Sequence, residues 1–185
     1  MKAVDLMIEE HRLIERMLRV LEDSAGILER GGTVPPGMLA GMIEFVQVYA
    51  DLGHHAKEED IFFPALIAHG VQPEASAIGA FQAQHEAGRL LVREMLASLP
   101  AASRGERAAC QAFAASAREY VGLLREHIRL EDHLFAEYAE ECLSPEEDAA
   151  LRARMDAVDR DRTSDAGTDR FSTMVAEYEE ALLKC

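Results

Sequence analysis

The sequence predicts an all-α protein, an up-down-up-down four-helix bundle with one or two additional C-terminal helices. Apolar residues recur at three- and four-residue spacing in four long segments, the pattern of helices that each bury one stripe. The connections between them are short, which favours antiparallel neighbours. Composition agrees: Ala, Leu, Glu and Arg are abundant, and the 185 residues hold only 6 prolines.

The first helix, roughly residues 2 to 30, places Val4, Met7, Ile8, His11, Ile14, Leu18 and Leu21 on one side and stops at Gly31-Gly32. The second starts after Thr33, with Pro35-Pro36 in its first turn, and runs to Gly70, a C-terminal cap after His69. Pro64 lies late in this helix and is expected to kink it. The third begins near Pro73 and ends at Leu99-Pro100; the fourth opens on the capping-box pattern Ser103-x-x-Glu106 and continues to about Cys142. Residues 1–143 thus form the bundle. Residues 144–185 form an extension packed on it: Ser144-Pro-Glu-Glu147 is a second capping box, starting a helix to about Asp159. After the polar stretch RDRTSDAGTDR, a last helix runs from Phe171 to Lys184, with Met174, Tyr178 and Leu182 on one stripe.

A net charge of −15 without a basic patch argues against nucleic acid and anionic membrane surfaces as partners. The N-terminus MKAVDLMIEEH has no continuous apolar run, so it reads as neither a secretory signal nor a membrane span, and a cytoplasmic location is expected. The three cysteines, Cys110, Cys142 and Cys185, lack a CxxC spacing and read as reduced thiols.

The histidines carry the chemistry. One or more falls on each bundle helix: His11, His54 and His55, His85, then His127 and His133. His54 and Glu58 lie 73 residues before His127 and Glu131, and His11 lies 74 before His85, so the chain reads as two helix pairs, each with a lone His followed by His-x3-Glu. Residues four apart share a helix face, so each imidazole and its carboxylate can converge on one ion. Two such pairs plus two single histidines suit two ions with both carboxylates bridging. Mixed imidazole and carboxylate donors suit iron, with manganese and zinc as possible substitutes. His55 and Glu59 share the four-residue spacing, but the repeat selects His54 and Glu58, because His55 maps onto Ile128. His55, Glu59 and Asp132 are then expected to orient ligands at best, and His55→Ala is expected to leave metal content nearly unchanged. His69 reads as a helix C-terminal residue facing the dipole. Tyr49, Tyr120 and Phe62-Phe63 read as core.

HHAKEEDIFFPAL, with EEHRLIERML, QHEAGRLLVREM and HIRLEDHLF, resembles the ligand helices of the hemerythrin-like (HHE cation-binding) family over about residues 5 to 140. The resemblance implies a four-helix bundle around a non-haem centre of two iron ions with an oxygen or hydroxide bridge, binding oxygen, nitric oxide or peroxide. It places the metal ligands at His11, His54, Glu58, His85, His127 and Glu131, with the two glutamates as bridges. Oxygen-carrying hemerythrins use five histidines, whereas four occupy ligand positions here, so water, a solvent bridge or another side chain, with Glu15, Tyr120 and His55 as candidates for an additional ligand or an outer partner, completes the set. Family members that repair iron centres carry a further N-terminal domain with cysteine, and this chain begins at the bundle. The functional expectation is binding of O2 or NO at an open coordination position, for sensing, storage or scavenging. The alternatives are an enzyme reducing peroxide or NO, or oxidising ferrous iron, with a redox partner protein, and a storage, delivery or structural metal site.

Overall fold

The computed structural model describes residues 2–35, 37–72, 77–141, 143–162 and 167–184, and only the backbone of 136–141, 161–162 and 167–168. The α-helices are α1 (Ala3–Glu29), α2 (Met38–Glu44), α3 (Phe63–Ala68), α4 (Ile78–Ala102), α5 (Arg107–Glu141), α6 (Pro145–Arg162) and α7 (Gly167–Leu182). Between α2 and α3 the chain stays helical but is wound wider, in two π-helical segments, π1 (Phe45–His55) and π2 (Glu58–Phe62). Two i→i−5 bonds mark this winding: the Ala56 amide donates to the Asp51 carbonyl and the Phe63 amide to that of Glu58. Residues 38–68 thus act as the second rod of the bundle.

The alternating direction of the rods follows from which apolar cluster each side chain joins. Along α1, Val4 and Met7 enter one cluster, and Ile14, Leu18 and Leu21 the other. The second rod runs oppositely, from Met42 and Tyr49 to Ile61 and Phe62. Rod α4 repeats the sense of α1 from Phe81 to Val92 and Met95, and α5 reverses again from Phe113 and Leu124 to Phe135. An up-down-up-down bundle with a polar band between two apolar clusters results. Bidentate pairs Arg118–Glu29 and Arg125–Glu22 tie α5 to α1. Among the described residues no helix is long and apolar enough to cross a membrane.

Several boundaries differ from expectation. Pro35 precedes α2, which starts after Gly37 in the left-handed region (φ 79°); Pro36 and Pro73 lie outside the described residues. Instead of a kink at Pro64, the departure from α geometry is spread over π1 and π2, and Pro64 falls in the first turn of α3, where its missing N–H costs least. Pro100 lies inside α4, which continues to Ala102. Ser103 does not open a capping box. It keeps α-helical angles (φ −65°, ψ −20°) as the last residue of the preceding turn, and the Glu106 carboxylate accepts from Arg104. Ser144 and Glu147 do form the reciprocal box: the Ser144 amide donates to the Glu147 carboxylate at 2.9 Å and the Glu147 amide to Ser144 Oγ at 3.3 Å. Cys110 is buried and unbridged; Cys142 and Cys185 lie outside the described residues.

The extension packs on α1 and the π segments. Phe171 and Val175 of α7 are fully buried, with Phe171 edge-on to Phe45 at 5.5 Å between centroids, burial worth about 1.5–3 kcal/mol for such a ring. Leu151 and Met155 of α6 join the cluster around Phe62 and Phe135.

Candidate metal centre

The donors of the polar band come one from α1, three from the wide-wound rod, one from α4 and two from α5. His11, His54, His85 and His127 are buried, and Glu58 and Glu131 have no exposed surface at all. Their functional atoms converge. His54 Nε2 lies 3.2 Å and His85 Nε2 3.3 Å from opposite oxygens of Glu58, and His127 Nε2 lies 3.0 Å and His11 Nε2 3.4 Å from Glu131 Oε2. Donor atoms that share one ion at about 2.1 Å sit about 3 Å apart, and these separations are of that size.

Each ring is fixed through its other nitrogen. Nδ1 of His11 meets Asp132 at 2.7 Å, that of His54 meets Glu10 at 2.9 Å, that of His85 meets Glu59 at 2.6 Å and that of His127 meets the Gln84 oxygen at 2.9 Å. All four partners are acceptors, so each neutral ring carries its proton on Nδ1 and aims the Nε2 lone pair inward. Two of these lone pairs, on His85 and His127, face each other at 3.1 Å. Among the described residues, Nε2 of His11 and His54 and both oxygens of Glu58 and Glu131 have no hydrogen-bond partner. Buried carboxylates and imidazoles left in this way are costly unless a cation takes their lone pairs, and the donor set therefore fits a metal.

The donors fall into two groups that share Glu58: His11, His54, Glu58 and Glu131 in one, and His55, Glu58, His85 and His127 in the other. Glu131 also reaches His127 of the second group. His55, read from the sequence as an additional ligand or an outer partner, falls inside the second group. It is buried, stacked on His85 at 3.9 Å between centroids, with Nδ1 3.5 Å from Asp51, and it is a fifth imidazole in the cluster rather than an outer residue. The wider winding explains this. With more residues per turn than an α-helix, successive side chains are closer in angle than 100°, and every residue from Gly53 to Glu58 is buried.

The other expected candidates lie elsewhere. Glu15 is partly exposed and paired with Arg12 at 2.7 Å, outside both groups. Tyr120 is buried, and burial pushes its phenol well up. It lines a cavity of about 200 Å³ that His55, His85, Asp51, Gly88 and Arg89 also border. Glu59 and Asp132 orient His85 and His11, as the sequence suggested, and His133 is exposed. His69 pairs with Glu147 of α6 at 3.1 Å.

Charge is finely balanced here. Burial opposes the imidazolium of His11, but Asp132, Glu131 and Glu58 outweigh it and hold its pKa well above the ordinary value. Burial likewise opposes that of His85, and Glu58 and Glu59 raise it to about 9. Burial dominates at His55 and lowers it to about 3. Glu58, although burial favours its neutral form, is kept well below the carboxylate range by His54, His11 and His85.

The architecture and the band together define a helical bundle with a buried histidine and carboxylate cation site. The hemerythrin HHE cation binding domain matches residues 2–139, and the chain belongs to that family. It is also 23% identical over 180 residues, 97% of this chain and 70% of the relative, to an uncharacterized protein of Mycobacterium bovis and to uncharacterized proteins of two Mycobacterium tuberculosis strains. No solved structure matches the chain significantly.

Sequence reasoning missed Glu10 and Gln84, the acceptors behind His54 and His127. A signal was present: they immediately precede His11 and His85 and lie 74 residues apart, the same offset as those histidines.

Proposed function

We propose that the chain holds two iron ions, bridged by Glu58 and Glu131, and binds O2 or NO at one of them. His11 and His54 would hold the first ion, and His55, His85 and His127 the second. Bound ferrous iron would supply the electrons and the affinity for a diatomic ligand. The chain's own residues fix the imidazole tautomers, exclude water with two apolar clusters, and leave space beside His55 and His85.

The observation that carries this reading is the division of the donors into two groups sharing a fully buried carboxylate, with the cavity bordering His55 and His85 of the second group alone. Val46, Val92, Gly88 and Tyr120 give it an apolar wall that suits a small, weakly polar ligand, beside polar groups that include Asp51, Arg89 and Arg93. The test is anaerobic loading with ferrous iron, followed by visible spectra before and after exposure to O2 or NO. A new charge-transfer band that reverses when the gas is removed is the expected result. A band that decays with consumption of the gas would favour the enzymatic alternative, and an unchanged spectrum would favour storage or a structural ion.

A further inference from the structure

Lys57 is the most deeply buried cation among the described residues, 1% exposed and between the two π segments. Lysines are almost never buried to this extent unless paired, and this one has two carboxylate partners. One is Glu10 of α1; the other is Asp159 of α6, 2.5 Å from Nζ. The second oxygen of Glu10 accepts from Nδ1 of His54. A continuous line of charged hydrogen bonds therefore joins the C-terminal extension to the donor set: Asp159, Lys57, Glu10, His54.

The internal repeat provides a comparison within the same molecule. The counterpart of Glu10 is Gln84, which holds His127, and the counterpart of Lys57, 73 residues on, is Leu130, packed on the apolar cluster. A neutral amide acceptor needs no counter-ion, and none is supplied. In the first half the acceptor is a carboxylate, which must have a cation when buried. A buried lysine serving one carboxylate alone would draw that charge onto itself and away from the histidine. Asp159 takes a share of the lysine and leaves Glu10 the stronger acceptor. An imidazole whose Nδ1–H is held by a stronger acceptor is the better metal donor.

We propose that Asp159 is a positioning residue of the metal centre, acting through Lys57 and Glu10 on His54, so that the C-terminal extension tightens the ion held by His11, His54, Glu58 and Glu131. The inference rests on the two-ion reading above. Its test uses cobalt(II) as a spectroscopic probe in the full chain, with the ions withdrawn by a chelator and followed by visible absorption. Wild type should release two ions in two phases. Asp159→Asn should speed one phase by about tenfold, the low end of what outer partners of ligands are worth, shift the bands of that ion alone, and leave the other phase unchanged. Asp159→Glu should restore the rate. Asp148→Ala, which removes the α6 contact to the Ala3 amide without touching the line, should release both ions as wild type does.

Release from Asp159→Asn at the wild-type rate would overturn the proposal. So would equal acceleration of both phases, or an Asp148→Ala variant that matches Asp159→Asn, since either marks mere loosening of α6. A wild type that takes up no cobalt would overturn the two-ion reading and the proposal together, whereas two ions held with no effect of Asp159→Asn overturn the proposal alone.

Discussion

The chemistry of the centre comes down to where five imidazoles keep their protons. Acceptors at Nδ1 of His11, His54, His85 and His127 fix the tautomer that an ion needs, and His55 joins from the second rod. His55→Ala should therefore lower bound metal from two ions toward one, and metal analysis that finds two ions retained would return His55 to an outer role. The metal-free protein has a pH signature. The pKa of His85 is raised from 6.5 to about 9, so the stability it contributes is fully present below about pH 6.5 and is lost as pH rises through about 9. His11, raised as well, adds in the same direction. Thermal melting of metal-free protein should show a falling midpoint across that window, while ion affinity rises over it because metal displaces those protons. A midpoint that climbs with pH there would contradict the charge assignment. At this scale the repeat made legible six side chains that the fold brings together, because a period in sequence survives into space. Of the Nδ1 acceptors, Asp132 and Glu59 were legible, whereas Glu10 and Gln84 were missed because they adjoin the histidines without the four-residue spacing by which ligands were sought, although they share the 74-residue offset of the repeat.

At the scale of elements, the π-wound stretch decides which side chains reach the centre. A reading at 3.6 residues per turn makes His54 and His55 compete for one inward position, and the i→i−5 bonds ending π1 and π2 let both enter. That winding was not legible, since hydrophobic periodicity presupposes the α geometry it is used to detect. The two capping boxes teach a related lesson. Ser144 closes its box where residues 143 and 144 are not helical, whereas Ser103 is absorbed into the end of α4; the same four-residue pattern is read differently by its neighbours. The docking of α7 depends on Gly41 of α2, where a Cβ would overlap the Tyr178 hydroxyl and lie 2.9 Å from its Cζ. Gly41→Ala should destabilise the chain by about 1–3 kcal/mol through overpacking, measured by urea unfolding. An unchanged midpoint would mean that Tyr178 swings aside without cost.

Over the whole molecule, two apolar clusters hold a band containing two carboxylates with no exposed surface, an arrangement that favours a bound cation over an empty band. Binding should accordingly raise the melting midpoint, and Glu58→Ala, which removes the donor common to both groups, should abolish most of that rise. The bundle, its alternating direction and the family were legible because four amphipathic stripes with short connections leave few other ways to bury them. The packing of residues 144–185 was not, because it joins residues far apart in the chain, Lys57 with Asp159 among them. The measurement that tests the centre most directly is an anaerobic titration of metal-free protein with ferrous iron, read as ions bound per chain. Saturation at two per chain is the outcome that the proposed two-ion reading predicts for two donor groups sharing Glu58, and saturation at one, or no uptake, would contradict it.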